Sequence, residues 1–342
     1  MQIFAPLVAI VGLASSALAY TPCNGPNARI QPPANATVVD PTGSHPGSFK
    51  SVAEGVAHMP NTTATAEHTL FIYPGVFEEQ VTIPKRKGRL VVQGFTCNTD
   101  SYADNQVTIT HAMAQKDVPA TVIKNRNDAT ATLLLKASNV KIYNINVANT
   151  AGDVGQAIAT KVDGANYGIY ACNFTGYQDT LYSNKGPELI AKSYINGAID
   201  FVFGLYAQAW FESCDIEVIG DGCITANGRT NNSYAATYVF NNANVFGSTQ
   251  GIGYLGRPWR PYASVVFQNS NISDVINPDG WQKWNGDNNT ANVYFKEFNN
   301  MGAGAATDKR VPFSGVLNAS VPITQILGAD YATQWWVDSK FM

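Results

Sequence analysis

An all-β solenoid, a parallel β-helix, is the fold that this 342-residue chain predicts. Three observations predict it: short β-type runs bounded by turn residues, recurrence of those runs near every 21 residues, and few helix or hairpin signals between them. Composition agrees, with 45% apolar residues, 14% charged residues and many Gly, Asn and Thr. The net charge of −3 and the absence of any basic run longer than Lys85–Lys87 argue against a nucleic-acid partner.

The elements follow in order. Residues 1–19 have an apolar stretch ending Ala17-Leu18-Ala19 and read as a secretory signal peptide, although no Lys or Arg precedes the stretch. A secreted, extracellular protein is therefore expected, its mature part a single domain over 20–342, with no membrane span and acting as a monomer. Sequons at Asn35, Asn61, Asn173, Asn231, Asn271, Asn288 and Asn318 fit an exported glycoprotein. Five cysteines leave at least one unpaired, and with no C-x-x-C and no His near a Cys, neither a metal nor a cofactor is expected.

Residues 20–46 read as an irregular lead-in. In 48–59, Phe49, Val52, Ala53, Val56 and Ala57 stand at helical spacing, with Pro60 closing the segment. Then come strand-like runs: TLFIYP, VTI, RLVVQGF, QVTIT, ATLLL and VKIYNINV. Aligning the last inward apolar residue of the middle strands gives Ile145, Phe174, Ile195, Ile216, Val245 and Ile272, at steps of 29, 21, 21, 29 and 27 residues. Such a period with insertions describes stacked coils, loops on one face and a helix capping the open end.

The repeat brings two carboxylates together. Asp179, in YQDTLY, and Asp200, in GAIDFVFG, each follow their ladder residue by five positions. Strands in adjacent coils lie about 4.8 Å apart, so the two side chains are expected to be neighbours. If the strand continues, they point away from the core. Asp221 also stands at this offset, although VIGDGC reads as a loop. Two such carboxylates titrate as a pair, one keeping its proton, which suits an acid and a base or an acid and a nucleophile. The aromatics Tyr182 and Phe203 flank them and either line a cleft or join the core. By the same register Cys172 and Cys214 are two coils apart, beyond the reach of a disulfide.

YQDTLY, GAIDFVFG and LGRPW (255–259), with GVFEEQV (75–81) and GQAIAT (155–160), together resemble the signature segments of the pectin methylesterases, or pectinesterases, in order and spacing along nearly the whole mature chain. The chain is most similar to secreted fungal members without a long amino-terminal inhibitor-like region. Phe77 stands where Tyr is usual, and ATAT at 129–132 where Ser-Ala-Thr is usual. The resemblance implies a right-handed parallel β-helix that removes methyl groups from methyl-esterified homogalacturonan, releasing methanol without a metal. It implies Asp200 as nucleophile, Asp179 as general acid and then base, Gln156 and Gln178 as oxyanion-hole amides, Arg257 as the partner of Asp200, and Trp259 as a sugar platform. Substrate contacts would extend to Tyr182 and Phe203. Arg257 is expected to lower the pKa of Asp200.

Other functions compete. A chain-cleaving glycosidase or lyase on the same fold would also use close carboxylates, but Asn98-Thr99-Asp100 is unaccompanied by Asp-Asp, Gly-His-Gly or Arg-Ile-Lys. A serine esterase would need G-x-S-x-G, which is missing. A silent carbohydrate-binding solenoid would not need the complete Gln156, Gln178, Asp179, Asp200 and Arg257 set.

Overall fold

The computed structural model describes residues 23–60, 65–286 and 289–342, so the predicted signal segment lies outside the described residues, as do the sequons at Asn61 and Asn288. Each full coil gives one strand to each of three sheets, which among the described residues have eleven, eight and seven strands. Neighbouring strands pair in parallel, as in Tyr167–Tyr170 with Glu188–Ala191 and Leu181–Ser183 with Val202–Gly204. The result is the expected parallel β-helix. No helix among the described residues is long and apolar enough to cross a membrane.

Like residues stack because each coil repeats the one below. In the eleven-stranded sheet, Ile142, Ile169, Ile190, Phe211, Phe240 and Phe267 form one inward column. All six are buried, and the last three rings stack at 4.3 and 4.4 Å. Burying each such side chain contributes about 1.5–3 kcal/mol. The corner leaving this sheet is equally regular: Asn144, Ala171, Lys192, Ser213, Asn242, Asn269 and Asn299 all have positive φ. Asn tolerates that conformation best among side-chain-bearing residues, which accounts for its prevalence there.

The ladder in the eight-stranded sheet runs Phe174, Ile195, Ile216, Val245 and Ile272 as expected. Its lower member is Val147 and not Ile145. Both are buried, and being two residues apart they share a face, so alternation alone could not separate them.

The amino-terminal helix is Val52–His58, capped by the Ser51 side chain and by Glu79, whose carboxylate accepts from Val52 N (2.7 Å) and Ala53 N (2.9 Å). It covers the first strands of the solenoid. Its buried face is Val52, Gly55 and Val56, while Ala53 and Ala57 are exposed. A Cβ at Gly55 would meet Val39 at 2.6 Å, so the helix packs closely on its Gly55 side, which the expected face did not include. At the other end of the chain, Ile326, Leu327, Trp336, Val337 and Phe341 cover the outside of the eleven-stranded sheet.

Cys23 and Cys97 form a disulfide, while Cys172, Cys214 and Cys223 are free and buried. Ser193 stands between Cys172 and Cys214 in their column, its hydroxyl accepting from Cys172 N and its backbone N–H bonding the Cys214 thiol. Burial pushes both thiols up to about 12.

Candidate active site

The site lies on the outside of the seven-stranded sheet. There Leu181 and Val202 point into the core, so their successors Tyr182 and Phe203 point out. The outward row runs Leu134, Lys161, Tyr182, Phe203, Ala226 and Arg257. Tyr182 and Phe203 stack at 4.3 Å, and Trp259 meets Phe203 edge-on at 6.1 Å. These rings therefore belong to an outer aromatic cluster rather than to the central core. Gly228 seats Trp259: a Cβ there would lie 2.6 Å from both the indole and Leu205.

Asp179 and Asp200 occupy the corner entering this sheet. Neither continues a strand; both have positive φ, 67° and 51°. The chain bends there, so outward direction cannot be counted from the ladder. Stacking survives the bend, with Gln178 bridging Ile199 in parallel and Asp179 N donating to Ile199 O at 3.1 Å. A sparsely populated backbone region at both carboxylates is the kind of local strain that concentrates at functional sites. Counting back from Val202 opposite Thr225 puts Cys223, not Asp221, beside Asp200. That coil carries two extra residues, and Asp221 is left exposed.

Arg257 reaches past the small Ala226 and grips Asp200 side-on, Nε to Oδ1 at 2.8 Å and NH2 to Oδ2 at 2.7 Å. Its own guanidinium lies over Trp284, 4.6 Å from the ring centre. Burial raises the Asp200 carboxyl above the ordinary aspartate value and the Arg257 fork pulls it back. Arg257 thus lowers the carboxyl as expected, but the net direction is upward, because desolvation of the buried carboxylate outweighs the ion pair. Asp179 is raised further, first by burial and then by the negative charge of Asp200. Asp200 thus carries the arginine fork, while Asp179 has a negative charge for a neighbour.

Gln156 and Gln178 stand one coil apart, joined by Ala157 N to Gln178 O at 3.1 Å. Both are half-buried, and among the described residues neither side-chain amide is engaged in a hydrogen bond. All the expected site residues thus come together at one place, Gln156 and Arg257 included.

Three further features were not legible in the sequence. Trp284 follows the last full coil, where no repeat marks it. Lys161 ion-pairs with Asp128 at 2.6 Å and lies 4.6 Å from the Tyr182 ring centre. Asn127 donates to Asp179 Oδ2 at 3.4 Å and accepts from Gln115 Nε2. Among the described residues no three His, Cys, Asp or Glu side chains converge as a metal site would require. The departures at 129–132 and 77 are structural in place: Thr130 is buried and its hydroxyl accepts from Ile158 N, and Phe77 belongs to the core.

The chain matches the family model for pectinesterases over residues 36–332. It is 41% identical to a pectinesterase of Aspergillus aculeatus over 92% of this chain and 94% of that one. A pectinesterase of Aspergillus niger is 40% identical over 98% of both chains. Among solved structures, the deglycosylated Aspergillus niger pectin methylesterase superposes with a TM-score of 0.82 at 34% identity, over 92% of this chain and all of that one. The carboxylate corner, the arginine fork and the aromatic floor thus sit on a chain that belongs to the pectinesterases, carboxylic ester hydrolases built on a parallel β-helix.

Proposed function

We propose that this pectinesterase removes methyl groups from pectin through an acyl-enzyme on Asp200. An Asp200 oxygen attacks the ester carbonyl carbon, and the oxyanion that forms is met by the free amides of Gln156 and Gln178. Collapse breaks the bond to methoxide, which takes the proton of Asp179 and leaves as methanol. Asp179, now a carboxylate, removes a proton from water; that water opens the mixed anhydride, giving a free galacturonate carboxylate and regenerating Asp200. Trp259, partly exposed, offers an apolar face to the sugar rings of a methyl-esterified polysaccharide, with the buried Tyr182 and Phe203 packed behind it.

The observation that carries this reading is the Arg257 fork on Asp200 beside a more strongly raised Asp179. One carboxylate is aimed and kept ionisable while its neighbour keeps a proton. Membership of the pectinesterases favours this reading over chain cleavage. Methanol release from pectin tests it in the presence of hydroxylamine, which should divert the anhydride to hydroxamate without changing the rate of methanol release. If hydroxamate does not accumulate, or Asp200→Ala releases methanol at the wild-type rate, the acyl-enzyme route is wrong.

We also propose export of the chain and function outside the cell. The Cys23–Cys97 disulfide supports this, since such bonds persist in oxidising compartments. Recovery of the full-length gene product in culture medium, cleaved before Tyr20, tests it; retention inside the cell would refute it.

A further inference from the structure

The segment between the strands Val107–His111 and Leu133–Leu135 is an insertion in the solenoid, yet it is bound tightly. The Arg126 guanidinium donates to four of its carbonyls, those of Pro119, Val122, Gln115 and Val118, at 2.8–3.0 Å. Gln80 holds its far end through Ala129 O and Ala131 O. Asp128 ties it to Lys161, and Thr130 joins it to Ile158 N. Gln115 N donates to Gln156 O at 2.8 Å, fixing the insertion to the backbone of a candidate oxyanion donor. Its effect is to deliver one amide, that of Asn127, to Asp179.

We infer that Asn127 is a positioning residue that decides which oxygen of Asp179 carries the transferable proton, and that Gln115 sets the sense of the Asn127 amide. The inference rests on the mechanism above, with Asp179 as the acid. Asn127 Nδ2 donates to Asp179 Oδ2. In a protonated carboxyl group an amide donor pairs with the carbonyl oxygen, so the proton is left to Oδ1. Turning the Asn127 amide alone would set its Nδ2 against Gln115 Nε2, two donors face to face. When Asp179 gives up its proton to methoxide, the Asn127 bond becomes charge-assisted and stronger. Asn127 therefore favours the ionised product of proton transfer.

The other groups acting on Asp179 are Asp200 and Arg257, and Asp179 in turn acts on Tyr182. None of them substitutes for Asn127: Asp200 can only accept from Asp179, the Arg257 fork is committed to Asp200, and among the described residues Tyr182 makes no hydrogen bond to Asp179.

The test is the pH dependence of methanol release from pectin by the full-length enzyme, with thermal unfolding measured alongside. Asn127→Ala should lower kcat about tenfold, the loss of one hydrogen bond to a charged group, and leave KM within about twofold. Its alkaline limb should move up by about one pH unit, because the ionised acid has lost its donor. Gln115→Leu keeps the Asn127 side chain and adds no charge, and should shift the limb in the same direction by less. A wild-type alkaline limb in Asn127→Ala, or a loss confined to KM, overturns the inference. Should Asn127→Ala fail to fold, Gln115→Leu carries the same two outcomes. Asp179→Asn separates the levels: wild-type turnover there defeats the acid assignment itself, whereas an inactive Asp179→Asn beside an unaltered Asn127→Ala defeats only the positioning role.

Discussion

Replacing Arg257 by Ala would leave Asp200 buried with the two hydrogen bonds of the fork gone. Those bonds are short, 2.8 and 2.7 Å, and they meet a carboxylate whose side chain is only 7% exposed. Hydrogen bonds to a charged group are worth roughly 1.5–3 kcal/mol each. Because the guanidinium is itself 20% exposed, the lower end applies, giving about 3 kcal/mol for the fork, or about two pKa units. Arg257→Lys keeps the charge but not the paired geometry and should give about one unit. Asp200 must be ionised to attack, so the acid limb of kcat/KM for methanol release should climb by those amounts, in the order Lys then Ala. The limb reports the coupled pair in the free enzyme, which is the state the structure describes. If both variants lose activity with the acid limb in its wild-type place, Arg257 serves substrate binding and the aimed-nucleophile argument fails.

Glu188, fully buried with Ser183 as its side-chain partner, has its carboxyl pushed well above the ordinary value by burial. The folded state therefore binds its proton more tightly than the unfolded chain, so the stability linked to it is full below the unfolded pKa and falls as pH rises toward the folded one. Glu188→Gln should flatten urea-unfolding stability against pH above about 4.5; an unchanged slope would contradict this. Gly228→Ala should displace Trp259 and Leu205, costing about 1–3 kcal/mol of overpacking and raising KM for pectin more than it lowers kcat. A change in kcat alone would show that Trp259 is no sugar platform. Iodoacetamide should label none of the cysteines in the native protein and three after unreduced denaturation, as counted by mass spectrometry. Native labelling would mean that Cys172, Cys214 or Cys223 is not sealed in the core.

Much of the site was legible because a solenoid converts sequence distance into spatial distance by a constant. Phe174, Ile195 and Ile216 stand one 21-residue coil apart, so Asp179 and Asp200 fall into register without knowledge of the rest of the fold. The count failed where coils change length. Two extra residues put Cys223 rather than Asp221 next to Asp200, and two inward residues on one face hid Val147 behind Ile145. Gln156 and Arg257 were found through their motifs, not the period, because insertions separate both from the regular coils.

The sequence by itself determined the parallel β-helix, the adjacency of the two carboxylates and, through its signature segments, the family. Each of these is written in local alternation, a short period or a contiguous motif. Only the tertiary structure decided that Asp200 is raised overall despite Arg257, since that sign is a balance between burial and pairing. It also decided that Tyr182 and Phe203 join an aromatic cluster on the outside of the seven-stranded sheet, and that an insertion carries Gln115 and Asn127 to Asp179. An insertion has no period to count, and its path is set by contacts such as those of Arg126 that exist only once the chain has closed on itself.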